Sequence, residues 1–166
     1  RLVQAEVELA SITHKDKVLF IGSGPFPISP ILVYQLTSAR VDCIDQSDQA
    51  CLVSEKVIQK LGLNERIQII NASGDIRKIY GYSVIMVALL AQPKHEILYN
   101  AQWSIPQDTR VICRTSEGNR QSFYKPINPA TYGFIGRYQL LGKHSAGPDD
   151  TISSLLFRID GHPENR

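Results

Sequence analysis

Apolar positions in this chain fall into short runs with two different spacings. Lys17 to Ile21 is almost uninterrupted hydrophobic sequence, as expected of a strand whose two faces are both covered in a parallel sheet. Arg40 to Asp45, Arg66 to Ile70, Ser83 to Ala88 and Arg110 to Arg114 are further strand-like runs. The stretches between them carry helix signals instead. Ser29-Pro30 reads as the cap and first position of a helix running to about Leu36, because the N–H that proline lacks has no partner there. Ser47 is an N-cap for a helix covering Ala50 to Leu61, Gly62 is its stop, and His95 to Gln102 makes another helix. Arg1 to Ile12 is helix-compatible, with apolar residues at Leu2, Val3, Val7, Leu9, Ala10 and Ile12.

After Gly133 the alternation stops. Phe134 to Leu141 and Ile152 to Ile159 are two strands joined by a Gly-Pro-Asp-rich turn, with no helical stretch between them. Alternating strands and helices predict an α/β fold with a Rossmann-like, doubly wound parallel sheet, to which the last hairpin adds a C-terminal antiparallel strand pair. The expected organisation is the end of a helical N-terminal region over residues 1–14, one Rossmann-like domain over 15–160 and a flexible tail over 161–166. Because helical spacing is already under way at Arg1, the sequence is expected to be a piece of a longer polypeptide.

Composition narrows the class without choosing a function. The 166 residues suffice for one continuous core, and 43% hydrophobic with 20% charged residues fits neither a disordered nor a fibrous chain. A net charge of +2, with the basic residues scattered, gives no clustered footprint for nucleic acid. No apolar run approaches the roughly 18 residues of a membrane span and no secretory signal opens the sequence, so a cytoplasmic protein with no membrane partner is expected. Cys43, Cys51 and Cys113 lack C-x-x-C spacing and read as reduced, buried small hydrophobes. His14, His95, His144 and His162 are dispersed, so no metal site is expected. Lys15-Asp16-Lys17 and Glu65-Arg66 carry both signs and read as solvated turns.

Candidate chemistry is concentrated where the first strand ends. Gly22-Ser23-Gly24 follows Val18-Leu19-Phe20-Ile21 directly, and Asp45 closes the next strand roughly 20 residues on. A buried strand entering a glycine turn can bring backbone N–H groups against a ligand, and the acid is placed to accept hydrogen bonds from a ribose diol. Gly22, Ser23, Gly24, Pro25, Asp45 and Gln46 are therefore candidate cofactor contacts. The alternatives are a tight connection without ligand for the glycines, and a helix cap for Asp45.

This turn alone does not separate a dinucleotide from S-adenosylmethionine. Three features favour the second and a fold of the S-adenosylmethionine-dependent methyltransferase type. Pro27 stands where the third glycine of G-x-G-x-x-G would allow the helix packing of a pyrophosphate site. Gly74-Asp75 closes the third strand, where such proteins hold the adenine amine, although Asp75 could equally cap Ile76 to Ile79. The terminal antiparallel pair also suits the seven-stranded sheet of that superfamily.

Longer motifs sharpen the picture. Phe20-Ile21-Gly22-Ser23-Gly24-Pro25-Phe26-Pro27, Val87-Ala88-Leu89-Leu90-Ala91-Gln92-Pro93-Lys94, Cys113-Arg114-Thr115-Ser116-Glu117-Gly118 and Phe123-Tyr124-Lys125-Pro126 together resemble the nicotianamine synthase family, particularly its archaeal and bacterial members. The resemblance runs from about Lys17 to Phe157. It implies transfer of the 3-amino-3-carboxypropyl group of S-adenosylmethionine, used as a substrate, to an amine of a small amino-acid acceptor, with release of methylthioadenosine, as in the making of metal-chelating metallophores. A small-molecule methyltransferase on the same fold is the alternative.

Ala88 and Leu89 begin an apolar wall, Ala88-Leu89-Leu90-Ala91, where methyltransferases acting on base amines carry an Asn/Asp-Pro-Pro-aromatic run, and both are candidate cofactor contacts. Arg114, at the carboxyl edge of the predicted fifth strand, could hold a substrate carboxylate through a bidentate pair, or form a structural salt bridge with an acid such as Glu117. Tyr124 is a candidate for the same carboxylate or for the amine, or else an ordinary packed aromatic. The resemblance further implies a helical N-terminal domain that supplies the acid taking the acceptor's proton. Glu6 is not that base on this reading, so the catalytic base is expected outside the chain and the chain itself to bind cofactor without full turnover. The number of subunits stays open, a homodimer among the alternatives.

Overall fold

The computed structural model describes residues 1–72, 80–117, 126–128, 130, 137–147 and 151–159. Its elements run α1 (Leu2–Leu9), β1 (Lys17–Ile21), α2 (Ile28–Thr37), β2 (Arg40–Asp45), α3 (Asp48–Lys60), β3 (Ile67–Asn71), β4 (Val84–Val87), α4 (Lys94–Ala101), β5 (Arg110–Thr115), β6 (Tyr138–His144) and β7 (Ser153–Ile159). The strands form one seven-stranded sheet in the order β3-β2-β1-β4-β5-β7-β6. Pairing from β3 through β5 is parallel, whereas β7 runs antiparallel to both β5 and β6. The doubly wound sheet and its closing antiparallel pair are those the sequence predicts.

The continuous hydrophobicity of β1 follows from this arrangement. Val18 and Phe20 pack with Val33 of α2 and Ile58 of α3, while Leu19 and Ile21 pack on the opposite face with Ile97 and Leu98 of α4. Val3 of α1 joins the first of these layers, which places α1, α2 and α3 together on one side of the sheet. A strand buried on both sides has no position left for a solvated side chain. Among the described residues, no helix is long and apolar enough to cross a membrane.

Helix ends agree with the sequence where a side chain does the capping and differ where none does. Ser47 Oγ accepts the Ala50 N–H at 3.2 Å, and Gly62, at φ +68°, follows the end of α3. α2 begins before the expected Ser29 cap, with Pro27 as its N-cap and the Ile31 N–H bonded to the Pro27 carbonyl at 3.1 Å. The first four N–H groups of any helix lack an intrahelical acceptor, so Pro30 is as harmless inside the first turn as at its first position. β6 is described from Tyr138, and the residues from Phe134 to Gly136 that were expected to open it lie outside the described residues.

The Lys15-Asp16-Lys17 segment is not the solvated turn its mixed charges suggest. Asp16 accepts from the Thr13 N–H at 2.8 Å and from Ser83 Oγ at 2.7 Å, and it pairs with Arg110. Arg110 also donates to the Ala10 carbonyl, so this cluster ties the end of α1 to the start of β5. Burial works against the Asp16 charge, but the Ser83 hydroxyl, the Thr13 amide and the Arg110 guanidinium outweigh it and hold the carboxyl below its ordinary value.

Candidate cofactor site

Strand order reverses between β1 and β4, and the carboxyl ends of these two strands open the crevice in which doubly wound sheets bind ligands. A cavity of about 510 Å³ occupies that place. Its floor is the glycine turn leaving β1. Gly22 has φ +80° and Gly24 φ +66°, a backbone region open to glycine and costly for other residues. The Gly22 N–H donates to the Ile44 carbonyl at 2.8 Å, which fixes the turn against β2. A Cβ on Gly22 would lie 2.9 Å from the Ala91 Cβ, so glycine is also required by the close approach of the opposite wall.

Asp45 stands at the end of β2 and organises the mouth. Its Oδ2 accepts the Gly24 N–H at 2.8 Å and its Oδ1 accepts the Ser47 N–H at 3.0 Å. Two amides thus aim both carboxylate oxygens, each of which retains capacity for a ligand hydroxyl. The capping role weighed for Asp45 is taken by Ser47, leaving Asp45 to join the glycine turn to the start of α3. Ser23 Oγ, also at the cavity, is buried beside the Cys43 thiol.

Of the residues expected from sequence, the structure brings Gly22, Ser23, Gly24, Asp45, Gln46, Ala88, Leu89 and Arg114 to this one cavity. Pro25 is solvent-exposed in the turn and does not line it. Gly74, Asp75 and Tyr124 lie outside the described residues. Gln92, Ile97 and Ile152 also line the cavity, and none of them was singled out. Gln92 directly continues the apolar wall, which was signal enough to include it. Ile97 and Ile152 arrive from α4 and from the approach to β7, with no local mark of a site.

Arg114 meets a different acid from the one expected. Its Nε donates to Glu6 Oε1 and its Nη2 to Glu6 Oε2, both at 2.8 Å, a bidentate pair across the sheet face. Ser154 Oγ donates to the same carboxylate at 2.6 Å, and the guanidinium lies 5.4 Å from the centre of the Phe20 ring. Glu117 instead pairs with Lys143 and accepts from Ser153 Oγ. Glu6 is fully buried, and only a partner with matched geometry offsets the desolvation of such a carboxylate. Glu6 thus takes one edge of the Arg114 guanidinium, and the end-on edge, Nη1 with the second N–H of Nη2, is left open among the described residues.

All three cysteines are buried and reduced. Burial raises the thiol pKa of Cys43 and pushes that of Cys113 up to about 12, so both remain protonated. Among the described residues, no group of three or more His, Cys, Asp or Glu gathers as a metal site.

Sheet order, glycine turn and strand-terminal acid define a Rossmann-like domain of the S-adenosylmethionine-dependent methyltransferase type. An RNA methyltransferase from Salinibacter ruber, solved with S-adenosyl-L-homocysteine, has the same fold, with a TM-score of 0.75 at 15% identity over 99% of this chain and 94% of that one. The family model described as nicotianamine synthase protein matches residues 1–159. The chain belongs to the nicotianamine synthase family. It is similar to a point mutant of MtNAS in complex with S-adenosylmethionine, with a TM-score of 0.87 and 26% identity over 96% of this chain and 61% of that one. MtNAS in complex with MTA and tNA superposes equally, with a TM-score of 0.87, 26% identity and 59% of that chain covered. L-histidine 2-aminobutanoyltransferase of Pseudomonas aeruginosa is 25% identical over 129 residues, which are 77% of this chain and 49% of the relative. The same-named protein of Yersinia pestis is 26% identical over 126 residues, 75% of this chain and 46% of the relative. The chain thus spans about half the length of the curated relatives it matches.

Proposed function

We propose that this chain forms the S-adenosylmethionine-binding part of an enzyme that moves the 3-amino-3-carboxypropyl group of that substrate onto an amine of an amino-acid acceptor, releasing methylthioadenosine. The observation that carries the proposal is the Asp45 carboxylate, held by the Gly24 and Ser47 amides at the mouth of a cavity that also contains the glycine turn. In this position Asp45 receives the ribose hydroxyls, the glycine turn lies under the ligand, and Ala88 and Leu89 cover the adenine. MtNAS complexes with S-adenosylmethionine and with MTA, together with the name of the aminobutanoyltransferases, support both the substrate and the group transferred.

In the step itself, the acceptor nitrogen attacks the γ-carbon of the aminocarboxypropyl arm. The carbon–sulfur bond breaks with its electron pair going to sulfur, the sulfonium becomes the neutral thioether, and the ammonium product loses one proton to a base. Two carboxylates stand at the described cavity wall or directly behind it. Asp45 is held by two amides, and Glu6 is buried against Arg114 and Ser154. Neither of these two is free to take that proton, and we assign the base, as the family resemblance implies, to residues outside this sequence. Arg114 Nη1 is the proposed contact for a ligand carboxylate, and Tyr124, Gly74 and Asp75 keep their proposed roles toward acceptor and adenosine.

Calorimetry with methylthioadenosine, followed by chromatography of products from S-adenosylmethionine and candidate amino acids, tests the proposal. Saturable methylthioadenosine binding is expected, with any turnover yielding methylthioadenosine. Formation of S-adenosylhomocysteine would make the protein a methyltransferase, and absence of binding to either thioether would remove the site.

A further inference from the structure

Lys94 is the most anomalous charged residue among those described. It is 5% exposed, and its Nζ donates to the Leu89 carbonyl. Among the described residues no carboxylate pairs with it. The other polar group facing it is the Cys113 thiol, which burial keeps protonated and so supplies no counter-charge. Burial correspondingly depresses the Lys94 ammonium below lysine's ordinary value. A methionine would fill such a space without desolvating an amine, so packing alone does not account for a lysine here.

Its acceptor among the described residues points to the reason. Leu89 lies in the turn that leaves β4, where the Ala91 N–H bonds the Ala88 carbonyl at 3.3 Å and the Ala88 N–H bonds the Ile21 carbonyl at 3.0 Å. Ala88, Leu89, Leu90 and Ala91 from this turn line the cavity, yet Lys94 does not; it stands behind them. The Leu89 carbonyl is held by Lys94, the first residue of α4, which is not among the residues lining the cavity. The turn is thereby tied at one end to β1 and at the other to α4, in the position that brings Ala91 against Gly22.

Taking the cavity as the adenosine site proposed above, we infer that Lys94 is a positioning residue for ligand binding, holding the 88–91 wall closed through the Leu89 carbonyl. Without it the wall must be ordered by the ligand, and that ordering is subtracted from affinity. Loss of the buried ammonium relieves its desolvation, and the Leu89 carbonyl it releases turns to water as the wall opens, so the fold is not weakened.

The test is Lys94→Met, measured by calorimetry with methylthioadenosine and by thermal unfolding of the same preparations. Expected is a rise of about tenfold in Kd, the scale of ordering one or two restrained groups on binding, with an unfolding midpoint equal to or above that of the parent. Amide exchange of residues 88–92 should accelerate in the unliganded variant and return to the parental rate at saturation. Unchanged affinity overturns the inference, as does a variant that unfolds at lower temperature or does not fold, since Lys94 would then serve the core. Failure of the parent protein to bind methylthioadenosine is a different result, and removes the adenosine site rather than the role of Lys94 alone.

Discussion

The two glycines of the turn separate a conformational cost from a steric one, and so measure how tightly the cavity floor meets its wall. Both have positive φ, +80° at Gly22 and +66° at Gly24. Alanine at either position takes on the left-handed penalty of roughly 1–2 kcal/mol, offset by about 0.5 kcal/mol from the stiffer unfolded chain. At Gly24 nothing lies within 4 Å of an added Cβ, so Gly24→Ala should cost only about 1 kcal/mol. At Gly22 the Cβ lands 2.9 Å from the Ala91 Cβ and 3.4 Å from the Ala88 Cβ, with the Ala91 Cα at 3.5 Å. These are short-chain atoms attached to backbone, with no flexible end to move aside. Overpacking adds about 2 kcal/mol, making Gly22→Ala worth about 3 kcal/mol. In a domain of this size the difference should appear as a further loss of roughly 4–8 °C in unfolding midpoint, and also in urea titrations. The Gly22→Ala, Ala91→Gly double variant removes the opposing methyl and should recover most of the extra 2 kcal/mol or so. Equal losses for the two single variants, or no recovery in the double, would refute the close approach.

Three other perturbations address the remaining parts of the site and scaffold. Asp45→Asn keeps the shape but offers one acceptor where two amides now point, so the Kd for methylthioadenosine should rise about tenfold or more by calorimetry, the worth of one charge-assisted hydrogen bond; an unchanged Kd would place the ribose elsewhere. Glu6→Ala leaves the Arg114 guanidinium buried without its partner and should cost about 3–5 kcal/mol in urea unfolding, while Glu6→Leu combined with Arg114→Met recovers much of it; additive losses in the pair would deny the coupling. Asp16 has its carboxyl held below the ordinary value of 3.8, so its contribution is complete above that pH and disappears as the pH falls through the lower folded value. Urea midpoints of Asp16→Asn should accordingly lie below the parent at pH 7 and converge with it on the acid side of about pH 4, and a constant gap would contradict the sign.

Legibility in the sequence followed the range of the interaction responsible. β1 and β2 were readable to their end residues because continuous burial and a flanking glycine or acid are local signals. The glycine turn and Asp45 were readable because their spacing is fixed by one βαβ unit. The partner of Arg114 was not. Glu117 is near it in sequence, but Thr115 and Ser116 lead it toward Lys143 and Ser153, whereas Glu6 arrives from a helix that the fold returns to the sheet. The same holds for Asp16, whose mixed-charge surroundings suggest solvent until β5 brings Arg110 beside it. Ile152 shows the limit from the other side: an apolar residue at a strand entrance becomes a cavity wall only through the antiparallel return of β7 against β5.

The charge distribution of the cavity bears on the proposed choice of reaction. A sulfonium ligand has three carbons bonded to one sulfur, and each is open to a nucleophile; which one reacts depends on which is turned toward the acceptor. Fixing adenosine does not decide this, since the fold that fixes it is shared with an RNA methyltransferase at 15% identity. What decides is the anchoring of the amino-acid arm. Arg114 is the cation at the cavity wall among the described residues, and Glu6 takes two of its five N–H donors, one on Nε and one on Nη2. The end-on fork, an N–H of Nη1 beside the second N–H of Nη2, stays open to a carboxylate, and a fork fixes a plane as well as a distance. On the proposed function, Arg114 can therefore set the plane of the arm's carboxylate while Glu6 holds the guanidinium in place, so the ion pair that supports the fold also serves the choice of carbon.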